Sequence, residues 1–185
     1  MGGAGAMYAT LRNCRVALNV TEMNGGGGLF FATAENCVIV SNRSVNYHGG
    51  GSAYSTLRGC VVAFNNAGGD GGGAFRGSVE SCTIVGNTAV RGGGVAEMSV
   101  IDSIVYFNTA AEQGTANHAD CIPTYSCTTP DPGGTGNIAA DPKFVDWQNG
   151  DFHLRGNSPC IDAGLDQPWM TGATDLDGEA RILGS

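Results

Sequence analysis

The chain has 185 residues, 31 of them glycine, with 42% hydrophobic and 14% charged residues and a net charge of −8. That length suits one domain or a short solenoid with an appendage, and the apolar fraction excludes a disordered polar chain. Nine scattered basic residues make no phosphate-binding patch, so no nucleic-acid partner is expected, and no apolar run reaches the ~20 residues of a membrane span.

No basic–apolar–cleavage leader opens the chain. GGAGAMY already belongs to a repeat, so a truncated precursor or an artificial start is expected. In chain order, glycine clusters end at Gly5, Gly28, Gly51, Gly73 and Gly94. Nine residues after each stand Cys14, Cys37, Cys60, Cys82 and Ser103, and five further on stand Asn19, Asn42, Asn65, Asn87 and Asn108. Steps of 23, 23, 22 and 21 residues match one coil of a parallel β-helix. A leucine-rich repeat has a similar period but needs several leucines per unit, which this chain lacks.

The runs CVIV, CVVAF, CTIV and SIVYF read as short strands between turns. Stacked coils sit ~4.8 Å apart, so equivalent positions form ladders along the axis. Val16, Ile39, Val62, Ile84 and Val105 are expected inside, as are Leu11, Ala34, Leu57, Val79 and Val100. The thiols fill a narrow core as small apolar groups, and at ~4.8 Å their Cβ atoms are too far apart for disulfides between coils. The asparagines satisfy turns and stack their amides along the axis. Thr10, Thr33, Thr56, Ser78 and Ser99 make a hydroxyl ladder. Arg12, Glu35, Arg58 and Glu80 alternate in sign as an outward ion ladder. Glycine permits positive φ at a corner where side chains would collide.

The corners GGGL, GGGS, GGGA and GGGV, with the strand ends VALN, IVSN, VAFN, IVGN and VYFN, resemble secreted bacterial right-handed parallel β-helix repeat proteins. The similarity is greatest to those with polymorphic outer-membrane-protein repeats, although aliphatics here hold the place of that family's aromatic. It covers about residues 2–114 and implies an all-β, right-handed, single-stranded parallel β-helix of about five coils over residues 1–114. From Thr115 the repeat stops, and residues 115–185 read as a loop-rich segment that caps or flanks the solenoid. Asp141-Pro142, Phe144, Ser158-Pro159, Ile161 to Gly164, Asp175, Asp177-Gly178 and Arg181 are similar to the DPxF, SPxIDAG and DxDGxxR order preceding surface-anchoring signals in such proteins. That implies an extracellular or cell-surface location. An uncapped first coil leaves backbone edges through which chains can self-associate.

Cys121 and Cys127 lie six apart in a loop-rich stretch and can close a small disulfide ring in an oxidising compartment, while Cys160 reads as buried and free. Asp162, Asp166, Asp175 and Asp177 offer carboxylates to calcium; no other cofactor is expected. DLDG lacks the rest of a calcium loop, and turn-capping aspartates are the simpler reading. The most suggestive column stands three residues after each glycine cluster: Tyr8, Phe31, Tyr54, Arg76 and Glu97. If Met7, Phe30, Ala53, Phe75 and Ala96 point inward, this column points out as an aromatic stripe ending in a charged pair. Sugar rings stack on such platforms, and Arg76 can lie over Tyr54. The competing reading folds Trp147, Phe152 or Trp169 back over the stripe.

The expectation is a non-catalytic, adhesin-like module that binds a polysaccharide or cell-surface glycan. The alternative is a β-helix polysaccharide lyase or glycoside hydrolase working through Glu97 and Arg76. Hydrolysis needs two carboxylates at a defined separation. The available acids, Asp70, Glu80, Glu97 and Asp102, gather in no outer column, with Arg91 and His48 elsewhere on loops.

Overall fold

Side chains alternate in and out along a strand, and a residue in the left-handed conformation interrupts that alternation and turns the chain. The second coil shows the consequence. Leu29, Ala32, Ala34, Cys37, Ile39, Asn42 and Ser44 are buried, at steps of three and two residues in turn. Each three-residue step contains one bend residue: Phe31, Asn36 and Ser41, with φ of 49°, 48° and 56°. This rhythm places the aliphatic two, and the asparagine five, residues after the thiol.

The computed structural model describes residues 5–182 and winds them into an all-β, parallel β-solenoid of about five turns. In the third coil the strands are Ser52–Arg58, Val61–Ala63 and Asn66–Ala67. Their equivalents stack in parallel into sheets of eight, six and five strands. The columns read from the sequence are in register: Leu57 pairs with Ala34 and Val79, and Val62 with Ile39 and Ile84. Among the described residues the only helical pieces are the single turns Trp147–Asn149 and Pro168–Met170. The outer ends of the two sequence-read regions, 1–4 and 183–185, lie outside the described residues.

One apolar core fills the solenoid, with Ala34, Leu57, Val79 and Val100 beside Val16, Ile39, Val62, Ile84 and Val105. Cys37, Cys60 and Cys82 are buried within it, and each sulfur accepts a 3.4 Å contact from the backbone N–H of the coil before. Contact with the Cys60 thiol, together with burial, pushes Cys37 far above the ordinary thiol range, so this thiol is chemically quiet. Cys14 departs from the expected buried ladder. It is exposed, because it lies on the first coil.

The asparagines form a continuous buried chain. The Asn42 amide donates to Asn65 at 3.0 Å, Asn65 to Asn87 at 3.0 Å and Asn87 to Asn108 at 2.9 Å. Each side-chain oxygen also accepts the backbone N–H of the preceding asparagine. Every buried amide is thereby satisfied by its own column. The outward ladder also forms: Arg12 meets Glu35 at 2.8 Å and Arg58 meets Glu80 at 3.1 Å.

Stacking does not end where the recognisable repeat ends. His118–Ala119 pairs with Val95–Ala96, and Cys127–Thr128 pairs with Ile104–Val105. Ser126 Oγ takes the thiol's place and accepts from the Ser103 N–H at 3.1 Å. The chain then returns along the flank of the second sheet, whose outward Val61, Ala63, Val85 and Ile104 would otherwise face water. The hairpin of Phe144–Asp146 with Asp151–Leu154 covers them. Trp147 lies parallel to Phe107 at 4.9 Å and to Phe64 at 6.4 Å, over the intervening Gly86. A Cβ at Gly86 would stand 2.7 Å from the Phe64 ring. Further along, Trp169 Nε1 donates to Glu80 at 2.6 Å, with Arg58 and Arg181 over its ring.

Candidate binding surface along the first bend

The residue three after each glycine cluster is the first bend of its coil. Tyr8, Phe31, Tyr54, Arg76 and Glu97 have φ of 51°, 49°, 53°, 50° and 52°, and Asp120 continues the column at 51°. Their neighbours do not enter the main core, which corrects the premise drawn from the sequence. Ala53, Phe75, Ala96 and Ala119, with Phe30 against them, form a separate cluster outside the first sheet. The corner loops cover it, and His48 stacks on Phe75 at 4.3 Å. The bend supplies the reason: it places two consecutive side chains outward, one tucked under the corner and one left open.

Tyr8, Phe31 and Tyr54 are 74%, 44% and 37% exposed. Trp147, Phe152 and Trp169 lie against the second sheet and the ion ladder, so they leave this column open. The left-handed conformation costs a non-glycine residue ~1–2 kcal/mol, and bulky side chains are unusual there. At the third bend, Phe64 and Phe107 offset that cost by packing on Trp147. At the first bend the rings pack on one another and on Phe30 and Phe75, and among the described residues nothing covers their outer side. The same left-handed bend recurs in every coil, so what distinguishes this column is three aromatic side chains left exposed side by side.

The geometry also corrects how a ligand would meet the stripe. Tyr8 and Phe31 stack at 5.4 Å and 10°, and Phe31 and Tyr54 at 4.9 Å and 16°. Rings stacked face to face cover each other's faces, so edges and phenol oxygens line the surface. Among the described residues, the open ring face is that of Tyr8, at the first coil. The other end is closed by Arg76, whose guanidinium lies 5.7 Å from the Tyr54 centroid and donates to its hydroxyl at 3.2 Å. Arg76 pairs with Glu97 at 2.7 Å, and Arg91 bridges Asp70, Glu112 and Asp120 alongside. Glu97, and then the Tyr54 hydroxyl, hold Arg76 above its ordinary pKa, so it stays cationic. The column thus runs from apolar edges into charge, Arg76 first and then Glu97 and Asp120.

The other acids read from the sequence are committed elsewhere. Glu80 serves the ion ladder and Trp169, Asp70 faces His48 and Arg91, and Asp102 accepts from Leu165 and Gln167 of the returning segment. The four carboxylates considered for calcium do not converge, and among the described residues no three His, Cys, Asp or Glu side chains are placed to hold a metal. Asp175 caps its own turn by accepting from the Asp177 and Glu179 N–H groups, and Asp177 turns to His153. The thiol that Cys127 meets is Cys160 rather than Cys121, which packs against the main core. Burial pushes the Cys121 thiol up to about 11.

His153 sits between Asp151 at 2.6 Å and Asp177 at 3.0 Å, tying the hairpin to the last loop. Hydrogen bonding to Asp151, then to Asp177, raises the His153 pKa. A raised folded-state pKa means that this clamp contributes fully below the ordinary histidine value and is lost as pH rises through the raised one. The unfolding midpoints of the parent and His153→Gln should therefore differ at about pH 6 and converge by about pH 9. A pH-independent difference would contradict the clamp.

No family model, curated protein or solved structure is significantly similar to the chain. Among the described residues, no helix is long and apolar enough to cross a membrane.

Proposed function

We propose that the protein is a non-catalytic, extracellular or cell-surface recognition module that binds an extended glycan along the first bend column. The observation that carries this reading is the exposed Tyr8–Phe31–Tyr54 stack, turned outward at the first bend and continued by Arg76 and Glu97. A polymer laid along the axis meets apolar ring edges and phenol oxygens first, then a cation and a carboxylate that can bond its hydroxyl or acidic groups. The same pairing favours binding over turnover. Glu97 is engaged with Arg76 at 2.7 Å rather than aimed at a substrate.

The test is a glycan array followed by titration of the best binder. Tyr54→Ala should weaken binding about five- to tenfold, as expected for the loss of one aromatic contact, and Arg76→Ala should do likewise for charged glycans. The unfolding midpoint should move little, because Tyr54 lies outside the main core. An array on which the parent retains nothing would overturn the reading. So would turnover of a uronic-acid or neutral polysaccharide that is lost in Glu97→Gln, which would make the protein an enzyme.

A further inference from the structure

We propose that Cys127 and Cys160 form an intramolecular disulfide that fastens the returning C-terminal segment to the last coil of the solenoid. Cys127 pairs in register with Ile104 and so belongs to an outward-facing column of the second sheet. It is nonetheless only 3% exposed, because the returning chain lies over it. Its thiol donates to the Ala140 carbonyl at 3.1 Å, and the Cys160 side chain is its thiol neighbour in the returning segment. Cys160 is held in place from its own side. Its N–H donates to Ser158 Oγ at 3.1 Å, and that hydroxyl donates to the Pro142 carbonyl at 2.6 Å. Both residues line one cleft of about 730 Å³ between the coil edge and the segment, with Asp102 and Leu165 on its walls. The turn carrying Cys160 has no other covalent tie to the solenoid, and it precedes the Asp102, Trp169 and Arg181 contacts.

The two thiols are unequal in a way that orders the chemistry. The neighbouring Cys127 lowers the Cys160 pKa, whereas Cys160 and then burial raise that of Cys127. Cys160 is also the more accessible sulfur. Its thiolate attacks one sulfur of a low-molecular-weight disulfide, forming a mixed disulfide and releasing one thiolate. Cys127 then gives up its proton and attacks the Cys160 sulfur, releasing the second thiol. The net change oxidises two protein thiols and reduces one external disulfide to two thiols. None of this depends on the glycan reading.

The experiment treats the full chain, carrying Cys14→Ser to remove the exposed thiol of the first coil, with oxidised glutathione. Peptide mapping without reduction should find one bond, Cys127 to Cys160, and two fewer titratable thiols. The unfolding midpoint should rise by about 5–10 °C, a gain absent in Cys160→Ser and retained in Cys121→Ser. Three outcomes would each overturn the proposal: no loss of thiols, a bond to Cys121, or glutathione remaining on Cys160 unresolved.

Discussion

Asn65→Ala should lower stability by about 3–5 kcal/mol, roughly a third of what holds an ordinary domain together. Asn65 is 1% exposed, and its side-chain amide is fully engaged. Its amide donates to the Ile39 carbonyl and to Asn87, and its oxygen accepts from both the backbone and the side-chain nitrogen of Asn42. Alanine leaves the Asn42 backbone N–H and one of its amide N–H groups without the Asn65 oxygen, at about 1–3 kcal/mol for each group so stranded. The unfolding midpoint should fall by about 10 °C. Asn19→Ala supplies the internal comparison, since the same residue in the same column is half-buried on the first coil and Asn42 keeps the Asn19 N–H. Its cost should stay within about 1 kcal/mol. Equal losses at the two positions would show that the column is not a cooperative buried ladder.

Gly50→Ala should be at least as damaging, for a steric reason. The first glycine of its corner, Gly49, has φ of 69° and needs glycine for its conformation. Gly50 does not; it needs glycine for space. A Cβ there would stand 2.5 Å from the Gly72 carbonyl oxygen of the next coil and 2.5 Å from the backbone of Asn66. Both obstacles are backbone, held in the ladders of adjacent coils, so relief requires parting two coils rather than turning a side chain. A loss of roughly 4 kcal/mol or more, seen as poor soluble yield and an early denaturation midpoint, is expected. Gly156→Ala has open space around the new methyl group and should be silent. A soluble Gly50→Ala protein of parental stability would mean that the coils are not packed as closely as described.

The solenoid was legible in the sequence because its cause is periodic. One residue type per column, repeated at 21–23 residues, is what stacked coils require, so Cys37, Ile39 and Asn42 announced their register together. The exposed stripe was legible as a column but not as a geometry. Its outward direction follows from a left-handed φ at Tyr8, Phe31 and Tyr54, and nothing in those residue types signals one. The inference from inward neighbours failed for the same reason, because the bend sends Phe75 as well as Arg76 outward. The docking of the returning segment was least visible. Trp147 over Gly86, Trp169 on Glu80, and Cys160 against Cys127 join positions far apart in sequence by single contacts that repeat nowhere. Gly86 was the available signal: it alone lacks a side chain in a column of Leu18, Ser41, Phe64 and Phe107.

The proposed role stands or falls on which face a glycan covers. Hydroxyl-radical footprinting with mass spectrometry, run with and without a saturating polysaccharide that the protein retains, reads this at every ring at once. The first-bend reading predicts that Tyr8, Phe31 and Tyr54 are protected together while Trp147, Phe152 and Trp169 keep their reactivity. Protection confined to Phe152 and Trp147 beside the hairpin, or no protection at Tyr54 under saturating ligand, would contradict it.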